Sequence, residues 1–236
     1  MDERYLEKRK AIERFFVPEN RVANSGKIVF SPSGQYELET WRYSSGPDSW
    51  SYSQGIVRRI SDHTVIADVK RNYGHFWYTW VEHANGNEYL LCGEDYQGYS
   101  VVNLTKETYD MFFPESGHKG FGFCWTAVYP SPDNFVLAVD GCYWACPYEL
   151  VLYDFRHPEE LPYQELARVE GLDECVGWLD NETFVLKREV EFRKSDGVPY
   201  KALTGAEQEI LDNDQSLVDY RSEIVHFKRP KFGGNA

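Results

Sequence analysis

The chain has 236 residues, which is enough for one large domain with a substantial core. Aromatic residues make up 16% of the sequence, and this content favours a packed domain over a disordered chain. Lys and Arg number 25 against 38 Asp and Glu, so the formal net charge is −13. Because a negative field repels phosphate backbones, we predict that nucleic acid is not a partner.

The sequence also predicts the setting in which the chain works. No run approaches the roughly eighteen consecutive apolar residues that a membrane span needs, so we predict no membrane partner. Residues 1–16 are charged and lack the apolar core of a secretory signal. The five cysteines are an odd number in a chain of this length, which favours reduced thiols. Together these features predict a cytoplasmic protein.

The chain begins with a predicted helix over residues 1–17. Asp2 can cap it, and Tyr5, Ile12 and Phe16 form one apolar stripe. Pro18 is predicted to end the helix. Such a stripe favours a helix packed on a larger body, with a partner-binding helix as the alternative.

From residue 24 onward the sequence consists of short runs rich in aromatic and β-branched residues, which predict strands. We group the runs into four units of a single domain, spanning residues 24–71, 74–114, 120–170 and 173–228. The third unit is the clearest. Its predicted strands are Phe121–Tyr129, Phe135–Asp140 and Tyr148–Phe155, and a Ser-Pro-Asp-Asn turn joins the first two.

The four units align at their first turn. Gly34, Gly86, Asn134 and Asn181 occupy the same position, so the turns are 52, 48 and 47 residues apart. A period near fifty with four strands per repeat is typical of propeller blades. The sequence therefore predicts an all-β, β-propeller-like fold with about four four-stranded antiparallel blades. An N-terminal helix and a short helix inserted in the last unit complete the prediction.

Two of these turns carry a family resemblance. Ser-Pro-Ser-Gly34 and Ser-Pro-Asp-Asn134 resemble the Ser-Pro-Asp-Gly turn between the first two blade strands of WD40-type and TolB-type β-propellers. The resemblance implies blade architecture, and the Gly-His and Trp-Asp pair of true WD40 repeats is absent. The aromatic, cysteine-rich stretch over residues 120–155 is similar to an uncharacterised bacterial family, and this similarity implies no function.

The fourth unit lacks an outermost strand in the sequence pattern. Segment 16–23 is predicted to supply that strand and close the ring, which leaves no long unpaired edge. The alternative is an open array of sheets closed by dimerisation, so both monomer and homodimer remain open. Within the fourth unit, Thr204-Gly-Ala-Glu207 is a capping box that predicts a helix beginning at Thr204.

The blade prediction sorts the loops onto two faces. The repeated turns lie on one, and the longer loops lie on the other, where functional residues are expected because loops on a rigid scaffold carry them. The long loops are 43–50, 71–75, 94–98, 115–120, 141–147 and the insertion. The predicted ligand-binding residues on this loop face are Trp50, His75, Glu94, Asp95, Tyr96, His118, Lys119, Asp140, Tyr143 and Trp144.

Four of these residues are large aromatics in loops. Trp50, Tyr96, Tyr143 and Trp144 have the size and low side-chain entropy of binding-surface anchors. The alternative interpretation is that they pack over the mouth of the propeller.

The cysteines raise the question of a metal. Cys142 and Cys146, with Cys124 and His118 nearby, can be combined into a Cys3His zinc site. A second closely spaced ligand pair is missing, and buried thiols beside aromatics are common without metal. We therefore predict no metal and no cofactor.

Three acidic residues define the enzymatic alternative. Glu94, Asp95 and Asp140 can act as general acid and base on a glycoside, or bind a hard cation such as Ca²⁺. They can equally be solvated residues that cap backbone amides. No motif completes a catalytic constellation. The sequence favours a non-catalytic binding or scaffold module for a protein or small-molecule ligand over a hydrolase, and it assigns no catalytic residue.

Overall fold

A computed structural model describes residues 3–144 and 147–232 of the chain. Helix α1 spans Glu3–Ile12 and is followed by 3-10 turns at Glu13–Phe15 and Pro18–Asn20. The α-helix thus ends at Ile12, five residues before the predicted end at residue 17, and Phe16 of the predicted apolar stripe lies beyond it. The predicted cap, Asp2, lies outside the described residues.

Four antiparallel sheets follow, and we call them blades 1 to 4. Blade 1 contains β1 (Lys27–Phe30), β2 (Tyr36–Ser44), β3 (Ser51–Arg59) and β4 (Val65–Arg71). Blade 2 contains β5 (Tyr78–Glu82), β6 (Glu88–Gly93), β7 (Tyr99–Asn103) and β8 (Thr108–Phe112). Blade 3 contains β9 (Cys124–Pro130), β10 (Val136–Cys142), β11 (Tyr148–Asp154) and β12 (Glu165–Glu170). Blade 4 contains β13 (Leu172–Trp178), β14 (Thr183–Arg193) and β15 (Val218–Lys228).

In every blade, neighbours along the chain are neighbours in the sheet. This simple up-and-down order is how a propeller blade is built. The predicted all-β fold with repeated antiparallel sheets is confirmed. Helix α2 (Gly205–Asn213) interrupts blade 4 and begins at the predicted capping box, in which Glu207 accepts the backbone N–H of Thr204 at 2.9 Å. No helix of the described residues has the length and apolar character needed to cross a membrane.

Apolar side chains fill the spaces between successive blades. Because strand side chains alternate between the two faces, adjacent residues of one strand enter different clusters. Leu90 on β6 packs between blades 1 and 2, and Leu91 packs between blades 2 and 3. Leu137 and Ala138 on β10 divide in the same way between the clusters on either side of blade 3. The middle blades are therefore buried on both faces.

The repeated turns tie the blades together at one end, which we call the turn face. Ser33 Oγ of blade 1 donates to Glu88 Oε2 of blade 2 at 2.6 Å. Asn134 Nδ2 of blade 3 donates to the backbone oxygen of Glu82 in blade 2 at 2.7 Å. Each link joins a turn to the adjacent blade, so the aligned turns also set the spacing of the blades.

Backbone angles support the alignment of the first three turns. Gly34, Gly86 and Asn134 have φ values of 67°, 85° and 57°, all in the left-handed region that glycine and asparagine tolerate best. In blade 4 the matching residue, Asn181, does not have a positive φ. The turn still shares a hydrogen bond with the others, because Asp180 Oδ1 accepts the backbone N–H of Glu182 at 2.8 Å, as Asp133 Oδ1 accepts that of Phe135 at 3.1 Å.

Segment 16–23 does not complete blade 4, so that prediction is wrong. The backbone N–H of Val22 donates to the oxygen of Arg42 at 2.9 Å, which places the segment against blade 1. The ring of Phe16 packs edge-on against Tyr43 with ring centroids 5.1 Å apart. The burial of aromatic surface against blade 1 explains why the segment packs there. Within the described residues, no hydrophobic cluster joins blade 4 to blade 1.

Candidate functional site

A cavity of about 340 Å³ lies on the loop face, where residues of blades 1, 2 and 3 meet. We call it the central cavity. It is lined by Trp50, Arg71, Tyr73, Tyr96, Cys124, Trp125, Thr126, Cys142, Trp144 and Tyr148. Four of the predicted loops contribute to it, namely 43–50, 71–75, 94–98 and 141–147. The insertion in blade 4 instead forms its own small cluster, with Leu203, Leu211 and Val218 at its centre.

Aromatic rings dominate the walls of the central cavity. Trp144 is 59% exposed and Trp50 is 46% exposed. The ring of Tyr96 lies against that of Trp144, with centroids 5.3 Å apart, and Trp50 lies 6.1 Å from Tyr73. Trp125 is buried at 4% exposure and forms a rigid part of the wall. Large rings with this much exposed surface are costly to leave in water.

Trp144 is held in an unusual backbone conformation. Its φ of 47° lies in the left-handed region, which is disfavoured for a bulky residue. Strained residues of this kind persist where the surrounding structure fixes them, and they concentrate at ligand sites.

Arg71 is the charged group of the central cavity. It ends β4 and is only 2% exposed. Desolvation by burial lowers the pKa of its guanidinium to about 10. At neutral pH the side chain therefore remains a cation inside the protein.

A second, more open cavity of about 460 Å³ lies beside the central one. Trp50 and Tyr73 line both cavities and so form the wall between them. His75 lines this second cavity together with Arg42 and Gly74. His75 therefore shares the second cavity with Trp50 and does not line the central cavity.

Glu94 lies beneath α1, away from the central cavity. It is fully buried, and its carboxylate accepts from Tyr5 at 2.9 Å, from Ser100 at 2.5 Å and from Tyr109 at 2.5 Å. Arg9 Nε of α1 lies 3.1 Å from the same carboxylate. These contacts occupy the carboxylate and fasten the helix to blade 2.

Asp95 lines a third cavity of about 260 Å³ under α1, which Tyr96 also lines. Its Oδ1 accepts the backbone N–H of Tyr96 at 2.6 Å. Burial raises the pKa of the Asp95 carboxyl to about 6. Its backbone oxygen accepts from Arg71 Nε at 3.1 Å, and its carboxylate acts on Arg71 by charge without a hydrogen bond to it.

Asp140 is half-buried on blade 3. Its Oδ1 has no hydrogen-bond partner among the described residues, and burial raises its pKa to about 6. The charge of Asp140 acts on Tyr129 and Cys175, which belong to the cluster between blades 3 and 4. Asp140 therefore lies apart from Glu94 and Asp95, whose charges both act on Tyr5 of α1.

The remaining predicted residues do not line the central cavity. His118 packs edge-on against Phe113, with ring centroids 5.0 Å apart. Lys119 lies at the exposed end of the 3-10 turn Glu115–Lys119. The ring centroids of Tyr143 and Phe123 are 5.3 Å apart.

The cysteines contribute an apolar wall. Cys124 on β9 and Cys142 on β10 are direct cross-strand partners, and both line the central cavity. Cys146 lies outside the described residues, so the Cys142 and Cys146 pair is not seen. Across residues 3–144 and 147–232, no three His, Cys, Asp or Glu side chains gather as a metal site. The absence of bound zinc remains a prediction for metal analysis.

Sequence reasoning missed Arg71, although the signal was present. Ala67, Val69 and Arg71 alternate along β4, so a period of two places all three on the same face. Ala67 and Val69 are buried in the cluster between blades 1 and 2. An arginine in line with two core residues is unusual, and such a position indicates a structural or binding role.

Comparison with known proteins gives a family. No family model matches the chain. The chain is 34% identical over 226 residues to "Uncharacterized protein R762" of Acanthamoeba polyphaga mimivirus, covering 91% of this chain and 85% of the viral protein. The chain belongs to the family of this viral protein. The similarity to a bacterial family that the sequence suggested is not supported.

Among solved structures, the chain is similar to the β-propeller domain of Myceliophteria thermophila Cps50 (Swd1). The identity is 16% and the TM-score is 0.40, with 74% of this chain and 47% of that chain covered. The chain thus spans about half the length of that domain. A TM-score this low carries no statement about what the family does.

Proposed function

We propose that this chain is a non-catalytic binding module whose central cavity holds a protein segment or a small ligand. The observation that carries the proposal is the convergence of loops from three blades on one aromatic cavity. Trp50, Tyr73 and Trp144 are each more than two-fifths exposed there. Aromatic residues presented in this way are the usual anchors of binding surfaces.

The size and composition of the cavity agree with this role. Its volume of about 340 Å³ lies at the lower end of the range typical of small-ligand sites. It also accommodates one or two side chains of a bound peptide. Its walls come from blades whose packing does not depend on the exposed rings, so binding and stability are separable.

The acidic residues of the hydrolase alternative do not face a common substrate position. Glu94 is covered by α1, and Asp95 lines the cavity under that helix. The charge of Asp140 acts instead on Cys175 of blade 4. Glycoside hydrolysis needs two carboxyl groups on either side of one bond. The arrangement of these three residues supports binding rather than hydrolysis.

The test is a screen of immobilised peptides and small ligands with the wild-type protein and the Trp144→Ala variant. We expect a ligand whose affinity falls by at least about thirtyfold in Trp144→Ala, which corresponds to about 2 kcal/mol. The melting temperature should change little, because the side chain is 59% exposed.

Phe121→Ala is the matched control. Phe121 is an exposed aromatic at 72%, and it precedes β9 without lining the central cavity. We expect this variant to bind as the wild type does. Equal affinity of wild type and Trp144→Ala for every ligand found would contradict the proposal. A large fall in melting temperature would show that Trp144 is structural.

A further inference from the structure

Arg71 is a buried cation whose direct hydrogen-bond partners are neutral, although the nearby Asp95 carboxylate acts on it by charge. Its Nε donates to the backbone oxygen of Asp95 at 3.1 Å, and its Nη1 donates to the backbone oxygen of His75. Within residues 3–144 and 147–232, no carboxylate oxygen lies within 4.0 Å of the guanidinium. Because a buried charge without an ion pair is costly, an anion that enters the cavity gains a strong partner.

The guanidinium retains the capacity to bind such an anion. Arginine has five N–H donors, and the two backbone bonds leave three of them for other acceptors. Its Cζ lies 5.3 Å from the centre of the Tyr73 ring, which supports one side of the planar group. Gly93 permits this position, because a Cβ there would lie 2.5 Å from Arg71 Nε. Fixed guanidinium groups bind carboxylates through two parallel hydrogen bonds.

The rest of the cavity determines what the anion is attached to. Trp50, Tyr96 and Trp144 present ring surface, and Trp125 closes the cavity from the protein side. These walls suit a flat or apolar group next to the anion. They do not suit a cationic ligand, since Arg71 would repel the positive charge that an aromatic cage otherwise attracts.

The charge of the whole chain restricts the anion further. A formal net charge of −13 opposes ligands with several negative charges, such as nucleotides and polyphosphates. A group with one negative charge is repelled least by this field, and a single guanidinium neutralises it.

We propose that the central cavity binds a carboxylate attached to an apolar or aromatic group, with Arg71 holding the carboxylate and the rings of Trp50, Tyr96 and Trp144 holding the apolar part. This rests on the proposed binding function and adds the chemistry of the ligand. The carboxylate can belong to the C-terminus of a peptide or to a free aryl acid. The two sources share their chemistry and are separated by the experiment.

The first test changes the ligand and leaves the protein intact. A hexapeptide ending in Trp is titrated as the free acid and as the C-terminal carboxamide, and phenylacetate is compared with phenylacetamide. In at least one pair, we expect the acid to bind about tenfold or more tightly than the amide. A preference in the peptide pair identifies a peptide C-terminus, and a preference in the phenyl pair alone identifies a small acid.

The second test changes the protein. Arg71→Gln removes the charge, and we expect the preference for acid over amide to disappear. Arg71→Lys keeps the charge but loses the planar donor pair, so an intermediate preference is expected. Arg42→Gln is the control, because Arg42 is exposed and lines the neighbouring cavity. The preference should stay as in the wild type in this variant.

Equal binding of acid and amide by the wild-type protein would overturn the carboxylate proposal. If acid and amide bound equally and Trp144→Ala bound neither, the proposed binding function would stand and only the carboxylate proposal would fail. Failure of all four probes to bind would likewise overturn the carboxylate proposal, whatever ligand the wider screen finds. Since these outcomes are read on the wild-type protein, they do not depend on whether the Arg71 variants fold.

Discussion

The two faces of the blades have opposite characters. At the turn face, short turns of aligned sequence close the hairpins, and hydrogen bonds such as Ser33 to Glu88 join one blade to the next. At the loop face, exposed rings surround a cavity, Trp144 has a strained backbone, and Arg71 is a buried cation whose hydrogen-bond partners are neutral. One face satisfies its polar groups internally, and the other leaves some of them available. This contrast is why we place binding at the loop face.

The largest expected effect concerns Glu94, a loop-face residue whose carboxylate already has its hydrogen-bond donors within the protein. Glu94→Gln replaces one carboxylate oxygen with a donor, which opposes the donors of Tyr5, Ser100 or Tyr109 and leaves Arg9 without its charge partner. We expect unfolding free energy to fall by about 2–3 kcal/mol. Denaturant unfolding measures the loss, and hydrogen exchange should show that the amides of α1 open first.

Glu115→Gln provides the control for Glu94. Glu115 also pairs with an arginine of α1, but Arg4 and Glu115 are 58% and 70% exposed. Surface pairs contribute at most about 1 kcal/mol, so the change should be small. Equal losses in the two variants would show that α1 is not fastened through the buried carboxylate.

A smaller effect is expected at the turn face. Gly86 has a φ of 85° with open space around it, so Gly86→Ala introduces backbone strain without a steric clash. We expect stability to fall by about 1–2 kcal/mol, with ligand binding unchanged. Thermal or chemical unfolding measures the first quantity, and titration of any ligand found measures the second.

Gly205→Ala is the matched control, because Gly205 begins α2 and also has open space at its Cβ position. Alanine favours the helix there, so the variant should be as stable as the wild type or up to about 1 kcal/mol more stable. Weakened ligand binding in Gly86→Ala without any loss of stability would show that the turn face also takes part in binding.

The smallest effect is a pH dependence that differs in sign between the faces. Burial raises the pKa of Asp140 to about 6, above the 3.8 of an ordinary aspartate. Between these two pH values the Asp140 carboxyl holds its proton more often in the folded state than in the unfolded state. Ionisation of Asp140 therefore lowers the stability of the protein as the pH rises through this window. Asp140→Asn removes the ionisation. It should gain about 1 kcal/mol over the wild type above pH 7, and the gain should vanish near pH 4.

Asp180 at the turn of blade 4 provides the opposite case. Hydrogen bonds from the backbone of Glu182 and from the side chain of Thr183 lower the pKa of Asp180. The folded state then binds fewer protons, so Asp180 contributes stability at neutral pH that is lost on acidification below its ordinary pKa. Asp180→Asn should be less stable than the wild type at pH 7 and equal to it in strong acid. Unfolding curves at several pH values check both signs.

The sequence by itself determined the repeated architecture. Strands, turns and the capping box at Thr204 depend on residues close together in the chain, so local patterns such as the turn at Asn134 were enough to locate them. It also singled out Trp50, Tyr96 and Trp144, because large aromatics in loops stand out against their neighbours. All three line the central cavity, and their role in binding stays a prediction.

Only the tertiary structure decided which of these residues meet. Glu94 and Asp95 are adjacent in sequence and both lie under α1, yet the Glu94 carboxylate is fully buried among hydrogen-bond donors and Asp95 lines a cavity. The course of segment 16–23 along blade 1 depended on packing between aromatic residues far apart in the chain. Arg71 became visible as a site only when three blades enclosed it, since burial and partners of a charge are properties of the folded chain.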